Sequence, residues 1–252
     1  MIKLCFIVAC KVYKQYKSYI SFYVKKIKEY YPNAMIILVD NNSPYSEYFE
    51  QFTSMENVVV IENTSIYKFE IGAYKFATEY IKENNLLYDF YVCTQDTFVL
   101  VNKYDFNNLK ENHITAASLS HFVFERSFGL HKNILQKLNL YDPSETFLCC
   151  WCSSWVVTHE NLLKINNILK NINSGSRYNS EECERYMGKI LKMLNNNKCY
   201  SIEESLEAGY DCKTGVNSLY NVFTIDPTSD YAKELKAYFI KSAQQKNEMT
   251  LK

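Results

Sequence analysis

Four short apolar runs, separated by stretches of helical periodicity, constrain this chain more than any other feature. They are Leu4-Cys5-Phe6-Ile7-Val8-Ala9, Met35-Ile36-Ile37-Leu38-Val39, Val58-Val59-Val60-Ile61 and Asp89-Phe90-Tyr91-Val92-Cys93. Each is strand-sized, and the first two are apolar throughout rather than alternating. A strand reads that way when both its faces are covered, the condition inside a parallel sheet. After the first run, Tyr16, Ile20, Tyr23, Val24 and Ile27 recur at helical spacing until Tyr31-Pro32 stops the helix. A short helix to about Ser54 leads into the third run. A helix from Glu70 to about Glu83, with Ile71, Tyr74 or Phe76, Ala77 and Ile81 inward, leads into the fourth. Strands alternating with helices predict an α/β fold, a mostly parallel sheet flanked by helices.

Beyond residue 100 the pattern thins. Ile114 to Leu119 reads as a buried strand. Thr146 to Val157 contains a further apolar strand, interrupted by Cys149-Cys150-Trp151-Cys152-Ser153-Ser154-Trp155. Helices are expected at about 159–171 and 181–194, around the polar loop 173–177, and a terminal amphipathic helix near 231–241. No repeat or linker appears, so 1–252 reads as a single domain. Its nucleotide-fold front half runs over about 1–100, an elaborated back half over about 101–242, and a polar tail over 243–252.

Charge and cysteine usage exclude several classes. Lys and Arg total 28 against 28 Asp and Glu, so no net field draws the chain onto nucleic acid or an anionic membrane. Nine cysteines, an odd number scattered from Cys5 to Cys212, read as thiols in a reducing, cytoplasmic setting rather than a disulfide framework. The apolar start has no small-residue cleavage site after it and reads as a strand. No segment approaches the ~20 apolar residues of a membrane span, so membrane attachment, if any, is expected to be peripheral. No glycine-containing segment fits a P-loop or a dinucleotide fingerprint, against ATPase and NAD-dependent dehydrogenase activity.

In an open parallel sheet, ligands gather outside the carboxyl ends of the strands. The polar residues there are Asp40 with Asn41 and Asn42, Glu62 with Asn63, Asp96, and Ser120 with His121. Asp40 has two readings: an acceptor for a nucleobase or ribose edge, or the side chain of an Asx-turn.

With these residues in place the chain resembles nucleotide-sugar glycosyltransferases of the GT-A fold, a Rossmann-like architecture, and most of all their family-2-like group. The resemblance runs through the amino-terminal strand, Ile37-Leu38-Val39-Asp40-Asn41-Asn42-Ser43, the helix opening Glu70-Ile71-Gly72-Ala73, and Asp89-Phe90-Tyr91-Val92-Cys93-Thr94-Gln95-Asp96. It covers about the first 100 residues well and the element order to about residue 194 loosely. It implies transfer of a sugar from a nucleotide-diphosphate donor to a hydroxyl acceptor such as a glycan, assisted by Mn²⁺ or Mg²⁺. By this resemblance Asp40 contacts the donor base, and Gly72 and Ala73 lie near the donor. Thr94-Gln95-Asp96 stands where the family has Asp-x-Asp, whose acids hold the metal on the diphosphate. The first acid is replaced by Thr94, and Asp96 remains. Ala9, Asn42 and Gln95 complete the donor-site candidates, and His121 is a candidate second metal ligand.

The rest of the site falls in the back half. Trp151, Ser153, Ser154 and Trp155 combine two indoles with small hydroxyls, suited either to a sugar face or to a packed strand. Cys149 and Cys152 have no partner pair at zinc spacing. In Asn179-Ser180-Glu181-Glu182-Cys183-Glu184-Arg185, the family places a general base near Glu181 or Glu182. The same residues also read as a capped helix start with acids at its positive end. Lys213, in Asp211-Cys212-Lys213-Thr214-Gly215, offers positive charge to a diphosphate. Two other functions compete: a non-catalytic GT-A-like scaffold binding glycan or a partner, and a nucleotidyltransferase. The latter calls for a basic Gly-rich loop where Ala9-Cys10-Lys11-Val12 stands.

Overall fold

The computed structural model of the chain describes residues 2–12, 17–96, 103–109, 114–116, 119–122, 132–139, 141, 147–150, 155–170, 176, 183, 187–191, 193–194 and 200–201. Its first strands are β1 (Leu4–Cys10), β2 (Met35–Asp40), β3 (Val58–Glu62) and β4 (Phe90–Gln95). Helix α1 (Lys17–Tyr30) joins β1 to β2, and α2 (Phe69–Glu83) joins β3 to β4. All neighbouring pairs within the order β3-β2-β1-β4 are parallel. The fold is therefore α/β, with a mostly parallel sheet flanked by helices.

The uniform apolarity of β1 has the expected cause. Leu4, Phe6, Val8 and Cys10 join a core layer with Ile20, Tyr23 and Ile27 of α1 and with Phe49 and Phe52. Cys5, Ile7 and Ala9 join the opposite layer with Ile71, Tyr74, Ala77 and Ile81 of α2. All seven residues are buried. Since each buried large apolar side chain contributes roughly 1.5–3 kcal/mol, the central strand is held from both sides. On α2 the inward aromatic residue is Tyr74, 1% exposed, while Phe76 packs partly buried at the margin.

The short helix expected before β3 is a 3-10 helix, Ser46–Phe52. Its two buried residues, Phe49 and Phe52, are three apart, and a period of three brings such residues onto one line.

Two expected strands of the back half each resolve into two. The run at Ile114 to Leu119 becomes β5 (Ile114–Ala116) and β6 (Leu119–Phe122). The run at Thr146 to Val157 becomes β7 (Phe147–Cys150) and β8 (Trp155–Val157). β6 and β7 pair antiparallel in a separate two-stranded sheet, whereas β8 enters the main sheet antiparallel to both β4 and β5. Apolar sequence marks a strand but not the sheet it joins. With β9 (Tyr200–Ser201) parallel to β5, the main sheet runs β3-β2-β1-β4-β8-β5-β9. Helix α4 (His159–Leu169) takes Thr158 as its cap and packs Leu162, Ile165 and Leu169 on the α2 side. A six-residue helix α3 (Lys132–Lys137), unheralded by periodicity, contributes Leu135 to the same layer. Residues 187–191 and 193–194 are helical, within the range expected. The proposed terminal helix near 231–241 lies outside the described residues. Among those described, no helix is long and apolar enough to cross a membrane, and Cys5, Cys10 and Cys93 are buried thiols.

Candidate active-site crevice

Strand order reverses at β1. From β1 the chain steps outward to β2 and β3, then returns to place β4 on the other side of β1. Crossovers running opposite ways leave the carboxyl ends of β1 and β4 uncovered, and such a reversal is where α/β sheets hold ligands.

Asp96 stands at that point. Its backbone N–H donates to Ala9 O at 2.9 Å, and its Oδ2 accepts the Lys11 backbone N–H at 2.8 Å. The half-buried carboxylate therefore clamps the end of β4 onto the end of β1. Gln95, the last residue of β4, lies in register with Ala9.

On the other side of β1, Asp40 ends β2 and is 3% exposed. Its Oδ1 accepts from Ser43 N at 2.8 Å and from Ser43 Oγ, while Ser43 Oγ in turn accepts the Val12 backbone N–H at 2.7 Å. Asp40 thus closes an Asx-turn, with Asn42 at φ 60 inside it, and that turn fixes the chain leaving β1. Between the two acids lies Cys10. Burial pushes its thiol well up, and the carboxylates of Asp96 and Asp40 push it further. The thiol donates to Val8 O at 3.3 Å.

Thr94 departs from what the resemblance implies for this position. It is 1% exposed, and its hydroxyl pairs with Tyr23 Oη of α1 at 2.8 Å. Because β1 and β4 stay paired through Val8–Thr94 and Ala9–Gln95, Thr94 lies inside the strand with its side chain in the core. An acid there would face α1, so Asp96 has no companion at position 94.

The third wall is the loop from β3 to α2. Asn63, fully buried, donates from Nδ2 to Asn41 Oδ1 and to Tyr67 O, both at 2.8 Å. Its Oδ1 accepts from Ser65 N at 3.1 Å and Ser65 Oγ at 2.6 Å. Asn41 Nδ2 donates to Phe69 O at 3.1 Å, and Lys68 Nζ to Asn63 O at 2.6 Å. Gly72 is small for a local reason: a Cβ there would lie 2.4 Å from the carbonyl carbon and oxygen of Tyr67. The ammonium of Lys75, 8% exposed, sits 3.4 Å from the centroid of the Tyr67 ring. Burial pulls its pKa down.

Trp155 needs correction as an acceptor-binding candidate. It is 1% exposed, packed edge-on against Tyr74 at 5.0 Å between centroids, so neither face is open to a sugar. His121 lies on β6, opposite Leu148 in the two-stranded sheet. Trp151, Ser153, Ser154, Glu181, Glu182, Asp211 and Lys213 lie outside the described residues. His159 opens α4 with its Nδ1 2.9 Å from Tyr91 Oη, a packing role at the amino edge of the sheet. That edge also carries a groove of about 470 Å³, lined in part by Ile2, Lys3, Asn33 and Leu87.

Sequence reasoning placed Ser43 in the turn after β2 and gave no role to Tyr67, Lys68 or Lys75. The D-x-x-S spacing at Asp40 and the N-x-S spacing at Asn63 are the local signals of such turns. A lysine set among Ile71, Tyr74 and Thr78 on the buried side of α2 is the signal for Lys75.

No protein-family model matches the chain, and neither does any curated protein. Among solved structures, the chain is similar to the glycosyltransferase GlyE of Streptococcus pneumoniae TIGR4. The apo form is 16% identical with a TM-score of 0.44, over 81% of this chain and 45% of that one. A second GlyE structure is 15% identical with a TM-score of 0.46, over 96% and 64%. The chain thus spans less than two thirds of either neighbour.

Proposed function

We infer that the chain is a glycosyltransferase of GT-A type, moving a sugar from a nucleotide-diphosphate donor to a hydroxyl acceptor. The observation that carries this reading is the Asp96 carboxylate, clamped by the Lys11 N–H at the reversal of strand order and faced across Cys10 by Asp40. In this reading the base and ribose lie over Ala9, Asn42 and the Asp40 turn, and the diphosphate points toward Gln95 and Asp96. Gly72 admits the close wall beside the donor, and Lys213 adds positive charge over the phosphates.

A diphosphate set against the Asp96 carboxylate needs a cation between them. Among the described residues no three His, Cys, Asp or Glu side chains converge as a metal cage. What is present fits a hard cation that the substrate phosphates themselves help to hold, with Asp96 as the protein carboxylate. Bound Mn²⁺ or Mg²⁺ supplies charge neutralisation to the leaving diphosphate. In the inverting version Glu181 or Glu182 takes the acceptor proton as its oxygen attacks the anomeric carbon and the bond to the diphosphate breaks. Trp151, Ser153 and Ser154 contribute to the acceptor side.

One observation favours a second reading. With Thr94 in the core, the acid pair is reduced to one, which suits a scaffold that binds a nucleotide sugar or glycan without turnover. Melting of the full chain with UDP-, GDP- and dTDP-sugars, with and without Mn²⁺, followed by assay of sugar release, separates the two. A melting rise with one donor class plus release supports transfer, and a rise without release identifies the scaffold. No rise with any donor overturns the transferase and the nucleotide-sugar scaffold alike.

A further inference from the structure

Lys75 is an unusual residue to find inside a helix–loop contact. A lysine is rarely buried without a compensating partner, and here an aromatic face lies 3.4 Å from its ammonium. A cation over an aromatic face is attracted by the ring quadrupole, and the more strongly the less water reaches it. The loop it touches is shaped against local preference. Phe69 has φ 59, a region that bulky side chains avoid, and the Tyr67 carbonyl sits where only Gly72 leaves room. The same loop is tied to the end of β2 through Tyr67 O, Asn63 and Asn41. Asn41 follows Asp40, and its N–H donates to Cys10 O at 2.9 Å.

We propose that Lys75 is a positioning residue for the nucleotide site: by stacking on Tyr67 it locks loop 63–69 as a preformed wall beside Asp40. The proposal rests on the nucleotide-sugar reading of that crevice. Lys75 touches no reacting atom in it. Its effect falls on donor affinity, because an unlocked loop must be ordered at the moment of binding. The chemical step is left alone.

The test compares Lys75→Met, which keeps the chain length and removes the charge, with Lys75→Arg, which keeps the cation over the ring. Tyr67→Leu removes the same contact from the other side should the methionine variant fail to fold. In the unliganded protein, amide hydrogen exchange over 63–69 should quicken about tenfold or more in Lys75→Met and Tyr67→Leu, and stay near wild type in Lys75→Arg. Affinity for UDP, GDP and dTDP with Mn²⁺, for whichever binds the wild type, should weaken on the order of tenfold. KM for the donor should rise with it, and kcat at saturation should stay within twofold. Unchanged exchange in both disrupting variants overturns the lock. Faster exchange with unchanged nucleotide affinity overturns the positioning role. Wild-type protein that binds none of the three nucleotides overturns the donor-site reading and the positioning role with it, while the exchange arm still reports on the lock separately.

Discussion

The second strand ends in an aspartate and the fourth is followed by one, both at the ligand edge, and the two carboxylates are held in opposite ways. Asp40 turns back on its own loop, to the N–H and hydroxyl of Ser43 three residues on. Asp96 reaches across to the Lys11 N–H, 85 residues away in sequence. One strand end is a local turn that shapes the exit from β1 through Val12; the other is a clamp that exists only once β1 and β4 have paired. A strand-end acid is therefore not one kind of signal, and its use depends on whether its donors are near in sequence or near in space.

The sharpest way to break the comparison is to put a second acid on the clamp strand. Thr94→Asp should cost about 3 kcal/mol or more in urea unfolding, because it buries a carboxylate against Tyr23 instead of completing a metal pair. A variant of wild-type stability with improved Mn²⁺ binding would show that position 94 does open to the crevice. Next in size is Asp96→Asn. The amide oxygen still accepts from Lys11, so melting should move by no more than about 2 °C. Transfer should nevertheless fall 100-fold or more, about 2.7 kcal/mol in activation free energy. Full turnover in excess chelator would remove the cation from this reading. The turn strand should respond most mildly. Asp40→Ala should lose about 1–2 kcal/mol of stability and roughly tenfold in nucleotide affinity, while Ser43→Ala loses about 1 kcal/mol of stability. Unchanged nucleotide affinity in Asp40→Ala would reduce that end of the sheet to a turn and nothing more.

The front half was legible because its information is local. Apolar runs such as Leu4 to Ala9 state that both faces are covered, and Tyr23, Val24 and Ile27 state the helix that covers one of them. β5 to β8 were not legible in the same way. Nothing in Trp155-Val156-Val157 says that it pairs antiparallel with β4, or that Phe147 to Cys150, a few residues earlier, belongs to another sheet. The site divides along the same line. Asp40 and Asp96 were found from their positions at strand ends. The burial of Thr94 and Trp155 depends on α1 and α2 packing from elsewhere in the chain, and so does the place of Lys75 over Tyr67. No spacing rule encodes those contacts.

The position of β8 also has a consequence in time. β4 acquires its second neighbour only when Trp155–Val157 has been made, roughly sixty residues after Gln95. At about 5–20 residues per second of synthesis, that leaves the outer edge of β4 open for about 3 to 12 seconds. The exposed stretch, Phe-Tyr-Val-Cys-Thr-Gln, carries no charge and no proline, the residues with which sheets guard an open edge. A nascent chain of this protein therefore passes through an interval in which the pair of β1, buried throughout, and β4 is assembled and unguarded. The late arrival of three residues, Trp155, Val156 and Val157, ends that interval.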